Sequence, residues 1–209
     1  MSDKGISLQQ SELFPAKSVS APSGFHYQDE FLAIDEEKAL VRWIETLPLK
    51  PFEFRGYLGS RRVMYFGFRY DYNRQAVDTA SAISAELAPL VARGARWSGR
   101  EPRDIRQAMV TEYAPGAPIG WHSDRPQFGD VLGISLLTSA PFRLRRPMNG
   151  KWERKTITLA PRSIYLMSGE VRKAWQHSIP PLAELRYSVT LRTLAEGFVS
   201  KLEEQQSAA

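Results

Sequence analysis

The chain has 209 residues, 43% of them apolar, enough for one sizeable core and one domain. It has no Cys, which excludes a disulfide frame, a thiolate metal site and a catalytic thiol. Lys and Arg outnumber Asp and Glu by 28 to 23, giving a net charge of +5, and no apolar run is long enough for an export signal core or a membrane span. The cytoplasm is the expected compartment. Residues 1–23, punctuated by Pro15, Pro22 and several Ser, read as a flexible arm. A single domain is expected over 24–196, with helices and a substrate-facing segment in 24–105 and a strand-built core in 106–196. Residues 197–209 read as a tail.

The first expected element is a helix over Asp35–Leu47. Asp35 stands as its N-cap, Leu40, Trp43, Ile44 and Leu47 form a helical stripe, and Pro48 stops it. Residues 52–74 interleave Arg with aromatics: Phe54, Arg55, Tyr57, then Arg61, Arg62, Tyr65, Phe66, Phe68 and Arg69. Two readings stay open here. One is a lid for single-stranded nucleic acid, with stacked bases and neutralised phosphates; the other is a hairpin whose aromatics fill the core. A second helix is expected from Asp78 to Gly94, kinked or limited by Pro89. Short strands are expected at 106–113, 131–138, 142–146, 155–159, 163–168 and 186–194. The almost wholly apolar 131–138 segment reads as a central strand, and Asn149-Gly150 as a hairpin turn within a basic run. Many short strands after two helices predict an α+β protein built on a double-sheet jelly roll, with N-terminal helices packed on one sheet.

Chemistry concentrates at His122-x-Asp124, directly after the Pro115-Gly116 turn. In an extended chain residues i and i+2 share a side, so the imidazole and carboxylate can converge on one metal ion, with His177 as the third ligand. Three ligands on one face leave coordination positions open for reactants. Trp121, preceding the first ligand, is expected to pack opposite it, and Trp175 to shield the distal one. The third His, His26, reads as structural. In Leu185–Arg192, Tyr187, Val189 and Leu191 alternate with Arg186, Ser188, Thr190 and Arg192, so one face is apolar and the other carries two guanidiniums able to grip carboxylates.

Together, Glu112-Tyr113-Ala114-Pro115-Gly116, His122-x-Asp124, the distal His177 and Arg186-Tyr-Ser-Val-Thr-Leu-Arg192 resemble the core of AlkB-like iron(II)/2-oxoglutarate-dependent dioxygenases. The resemblance spans about 106–194. It implies a double-stranded β-helix, with Fe(II) held by His122, Asp124 and His177, 2-oxoglutarate as co-substrate, and O2 as oxidant. It further implies that Arg186 and the Tyr113 hydroxyl hold the far carboxylate of 2-oxoglutarate. Arg192 would lie near the near carboxylate and Asp124, and Thr111 stands where many relatives have Asn. The implied reaction hydroxylates an N-alkyl carbon of a damaged or modified nucleobase in DNA or RNA, single-stranded or flipped out, releasing an aldehyde. Arg61, Arg62, Tyr65, Phe66 and Arg125 are the candidate substrate contacts. Nucleobase-repairing relatives often carry an acid where Pro126 stands. Two alternatives are the same iron chemistry on a protein side chain or small molecule, and a non-catalytic nucleic-acid-binding jelly roll. A monomer is expected.

Overall fold

The computed structural model describes residues 21–54, 56–71 and 76–198. The remainder of the arm, most of the tail, and residues 55 and 72–75 of the aromatic segment therefore lie outside the described residues. In chain order the elements are β1 (Phe25–Gln28), α1 (Ile34–Glu45), β2 (Lys50–Phe54), β3 (Tyr57–Asp71), β4 (Ala76–Thr79), α2 (Ala88–Trp97), β5 (Ile105–Tyr113) and β6 (Ile119–His122). They continue with β7 (Phe128–Leu136), β8 (Ala140–Met148), β9 (Lys151–Leu159), β10 (Ile164–Met167), α3 (Gly169–Ala174), β11 (Gln176–Ile179) and β12 (Arg186–Leu194). Two sheets face each other, as a double-stranded β-helix requires. The major one runs β1-β10-β7-β12-β5-β3-β2, with β4 added on β3, and the minor one β6-β11-β8-β9.

Strand alternation sorts the core into two layers. Tyr187, Val189 and Leu191 of β12 and Leu132, Ile134 and Leu136 of β7 face the helices, where they meet Ile44, Leu90 and Val91. The intervening residues face the minor sheet, where Tyr113, Val131 and Tyr165 pack with Phe142 and Leu144. β12 is buried along its whole length, so its polar residues, both arginines included, lie between the sheets.

The stripe in α1 packs on the major sheet as its spacing requires, but the helix starts earlier than expected. Ala33, not Asp35, is the N-cap, and its N–H donates to the Glu36 carboxylate at 2.7 Å. Buried Glu37 accepts the Leu137 N–H at 2.9 Å and ties the helix to the end of β7. The second helix is shorter than expected. Residues 76–79 pair with β3 as a strand, and Ala85–Leu87 form a 3-10 turn. α2 begins at Ala88, with Pro89 in its first turn, where the missing N–H costs no intrahelical bond. The basic hairpin is as expected: Asn149 and Gly150, both at positive φ, join β8 to β9. Among the described residues no helix is long and apolar enough to cross a membrane.

Gly67 is where β3 changes partner. Up to Gly67 the strand pairs with β5, and from Phe68 it pairs with β4. Its φ is +77°, and a Cβ there would stand 2.2 Å from the carbonyl oxygen of Arg106, a backbone atom that cannot swing aside. Gly67→Ala is expected to destabilise the fold by at least about 2–3 kcal/mol in urea unfolding, through backbone strain and the collision together.

Candidate active site

Pairing of β6 with β11 sets His122 directly opposite His177, with ring centroids 4.1 Å apart. Asp124 lies just past the end of β6, and His177 Nε2 stands 3.7 Å from its Oδ2. The Gly120 carbonyl can only accept, so at 2.9 Å His122 Nδ1 carries the proton and Nε2 keeps its lone pair. Burial pushes the His122 pKa down; burial, with help from His122, lowers that of His177 to about 3. Both imidazoles are therefore neutral at neutral pH, as metal ligation requires. Burial alone would raise the pKa of Asp124, but the Arg192 guanidinium and its other cationic neighbours outweigh it and hold the carboxyl well below the usual range. Among the described residues the three side chains are not drawn into a closed ligand cluster. They nevertheless offer two neutral nitrogens and a buried carboxylate oxygen, Asp124 Oδ2, with no hydrogen-bond partner among the described residues. That donor set fits Fe(II) bound on one face.

Asp124 is fixed from two sides. Its Oδ1 accepts from Arg192 at 2.9 Å, and Arg192 in turn donates to the Gln107 amide oxygen at 2.6 Å. The loop after it is pinned by Arg172 of α3, whose guanidinium donates to the backbone carbonyls of Asp124, Arg125, Phe128 and Gly129. Neither Gln107 nor Arg172 is singled out by the sequence. Arg172 reads only backbone carbonyls, so no side-chain motif betrays it.

Arg186 is the largest fully buried side chain, 1% exposed. It donates from Nε to Ser135 Oγ at 3.0 Å and lies 4.9 Å from the Tyr113 ring centroid. Among the described residues its NH1 has no hydrogen-bond partner, and neither has the buried Thr111 Oγ1. Strand pairing brings them together, with Arg186 opposite Tyr113 and Ser188 opposite Thr111. A buried cation with an unmatched donor, next to two hydroxyl-bearing residues, fits a carboxylate supplied by a ligand. The two β12 arginines do not lean together over one small anion, because Arg192 is held by Asp124 and Gln107 at the other end of the strand.

A cavity of about 540 Å³ opens beside His122 and Asp124, and Arg61, Tyr65 and Arg125 are among the residues that line it. Arg61, 9% exposed, stacks 4.7 Å from the Phe52 ring centroid and 5.8 Å from that of Tyr113. Two expected contacts lie elsewhere. Phe66 is in the core against Trp43, at 6.0 Å, and Arg62 turns to the other face of β3 to form a two-point pair with Glu112 at 2.7 and 2.5 Å. Alternation explains the split, since 61 and 65 share one face of β3 and 62 and 66 the other. One face of the stretch therefore fills the core, through Phe66, and the other borders the cavity, through Arg61 and Tyr65. Pro126 is exposed and His26 is exposed on β1. Trp175 is buried at 2% exposure, while Trp121 both packs under two arginines and walls the cavity.

The model of the 2OG-Fe(II) oxygenase superfamily matches residues 44–194. The chain belongs to that superfamily and is an Fe(II)- and 2-oxoglutarate-dependent dioxygenase of the AlkB-like kind. It is 26% identical over 183 residues to the alkylated DNA repair protein ALKBH8 homolog of Arabidopsis thaliana, covering 75% of this chain and 51% of that protein. It is 28% identical over 173 residues to the tRNA (carboxymethyluridine(34)-5-O)-methyltransferase alkbh8 of Xenopus tropicalis, covering 78% of this chain but 26% of that protein. The chain thus spans about half or less of these relatives. Among solved structures, OsALKBH1 superposes with a TM-score of 0.65 at 17% identity, covering 81% of this chain and 96% of the other. A Pseudomonas putida prolyl-4-hydroxylase superposes at 0.57 with 16% identity, covering 83% and 94%. Both likenesses concern the fold.

Removing the Arg192 charge while keeping its bulk, as in Arg192→Met, leaves the Asp124 carboxylate buried and unpaired. Metal-free protein is expected to lose about 3–5 kcal/mol in urea unfolding. Most of that loss should vanish in an Asp124→Asn background, which a double-mutant cycle measures.

Proposed function

We propose that this dioxygenase oxidises a modified nucleobase in DNA or RNA. The observation that carries the reading is the shared cavity. A wall of cationic and aromatic side chains, Phe52, Tyr57, Arg61 and Tyr65, meets His122 and Asp124 across about 540 Å³. Aromatic faces that stack a base, beside guanidiniums that neutralise phosphate, suit an unpaired or flipped nucleotide. The names of two relatives, which refer to alkylated DNA and to a tRNA uridine, agree with such a substrate.

In this reading His122, Asp124 and His177 hold Fe(II), and Arg186, Tyr113 and Thr111 receive the far carboxylate of 2-oxoglutarate. Together with O2, these groups supply the oxidation of a C–H bond that no side chain of this protein can perform. The protein's own contribution is placement. Arg192 keeps Asp124 ionised and oriented, and Arg172 fixes the loop that carries it. Arg186 neutralises the co-substrate inside a low-dielectric core, while Arg61, Tyr65 and Arg125 orient the base over the ligands. Hydroxylation of an N-methyl carbon yields a product that breaks down to the free base and formaldehyde.

The test is a mass-spectrometric screen of N- and C5-modified single-stranded oligonucleotides with Fe(II), 2-oxoglutarate and O2. At least one should lose its methyl group or gain an oxygen atom, with matching succinate. His122→Ala, Asp124→Ala and His177→Ala should each reduce that turnover at least about 1000-fold while remaining folded. Succinate formation driven only by proteins or small molecules, with every oligonucleotide inert, would overturn the nucleobase assignment.

A further inference from the structure

The outer face of the minor sheet carries a pattern that the active site does not use. Arg145 of β8 is bracketed by two indoles, Trp121 of β6 and Trp152 of β9, its guanidinium carbon 4.3 Å from each ring centroid. Arg143 lies 5.3 Å from the Trp121 ring centroid, and Arg154 stands opposite Arg145 across the β8–β9 ladder. Arg143 donates to Ser178 Oγ at 3.1 Å and Arg145 to the Gln176 amide oxygen at 2.8 Å, both neutral acceptors. The one acid in β8 and β9, Glu153, faces the other way, where it pairs with Arg146 beside the buried Trp175. The face thus carries three cations and two indoles without a matching carboxylate on β8 or β9. Trp152 is 42% exposed and Arg154 is exposed.

We infer that this face is a docking track for single-stranded nucleic acid, carrying the nucleotides that flank the one in the active site. The inference rests on the nucleobase reading above and adds where the rest of the strand runs. Trp121 belongs to both features, since it walls the catalytic cavity and forms the first rung of the ladder. From β6 to β9 the face crosses three strand spacings, ~14 Å, so a strand leaving the cavity mouth passes over Trp121, Arg145 and Trp152 in turn. Cation–π contacts hold the indoles and the guanidinium in one stack, leaving the exposed part of Trp152 as a platform for a base. Arg143 and Arg154 supply the phosphate contacts. An acidic peptide would match the charge but would leave the indoles unused. The interleaving of aromatics with cations therefore favours nucleic acid.

The test measures binding of a short fluorescent oligouridylate by anisotropy at two salt concentrations, using the 209-residue wild type, Trp152→Ala, Trp152→Phe and Arg154→Glu. Substrate-free 2-oxoglutarate consumption by the Fe(II)-loaded enzymes reports that the catalytic core is intact, and should be the same in all four. Trp152→Ala should weaken binding at least about 5-fold, the lower end of the effect of losing a stacked base, and Trp152→Phe should restore most of it. Arg154→Glu should weaken binding and flatten its salt dependence. Wild-type affinity in all three variants would overturn the track and leave the nucleobase reading standing. Failure of wild type to bind would overturn both. Equal competition by poly-glutamate, with no loss in Trp152→Ala, would mark a general anion patch and also overturn the track.

Discussion

Two guanidinium groups buried on one face of a single strand set the terms for the rest of the site. A charge removed from water costs several kcal/mol unless a counter-charge and hydrogen bonds meet it. β12 carries two such charges, Arg186 and Arg192, with 1% and 9% exposure. Arg192 is met from within, by Asp124 and the Gln107 amide. Arg186 is met only in part, by the Ser135 hydroxyl and the Tyr113 ring face, and one of its nitrogens remains without a partner. One end of the strand therefore secures the Asp124 carboxylate, and the other end is shaped for an anion from solution.

The two sheets divide the work. The major sheet presents the arginines and the hydroxyl-bearing residues of β5, while the minor sheet presents the imidazoles, brought face to face by the pairing of β6 with β11. Asp124 lies between them in a loop with no ladder of its own, and Arg172 ties it down by taking two carbonyls in that loop and two at the start of β7. Because β6 is the edge strand of its sheet, His122 and Asp124 open onto a cavity rather than a closed core.

Much of this was legible in the sequence where chemistry is tied to local spacing. His122 and Asp124 sit two residues apart, and β12 alternates cleanly enough to place Arg186 and Arg192 on one face. The stripe of α1 was readable for the same reason. What escaped was decided by distant partners. Asp78 and Thr79 look like helix caps but pair across to β3. Arg62 looks like its neighbour Arg61, yet Glu112, fifty residues on, claims it. Phe66 fills the core because α1 places Trp43 over that side of the sheet. Gln107 and Arg172 carry no motif, since one is an amide in a strand and the other reads only backbone.

The unmatched nitrogen of Arg186 is the place for the far carboxylate of 2-oxoglutarate in the proposed reading. That placement is tested by anaerobic calorimetry of the Fe(II)-loaded enzyme with 2-oxoglutarate and with 2-oxobutyrate, which keeps the chelating end but lacks that carboxylate. Wild type should prefer 2-oxoglutarate by at least about 30-fold, the value of a charge-assisted, desolvated carboxylate contact, and Arg186→Ala should abolish most of that preference. An Arg186→Ala enzyme that stays folded and discriminates between the two acids as wild type does would show that Arg186 does not hold that carboxylate.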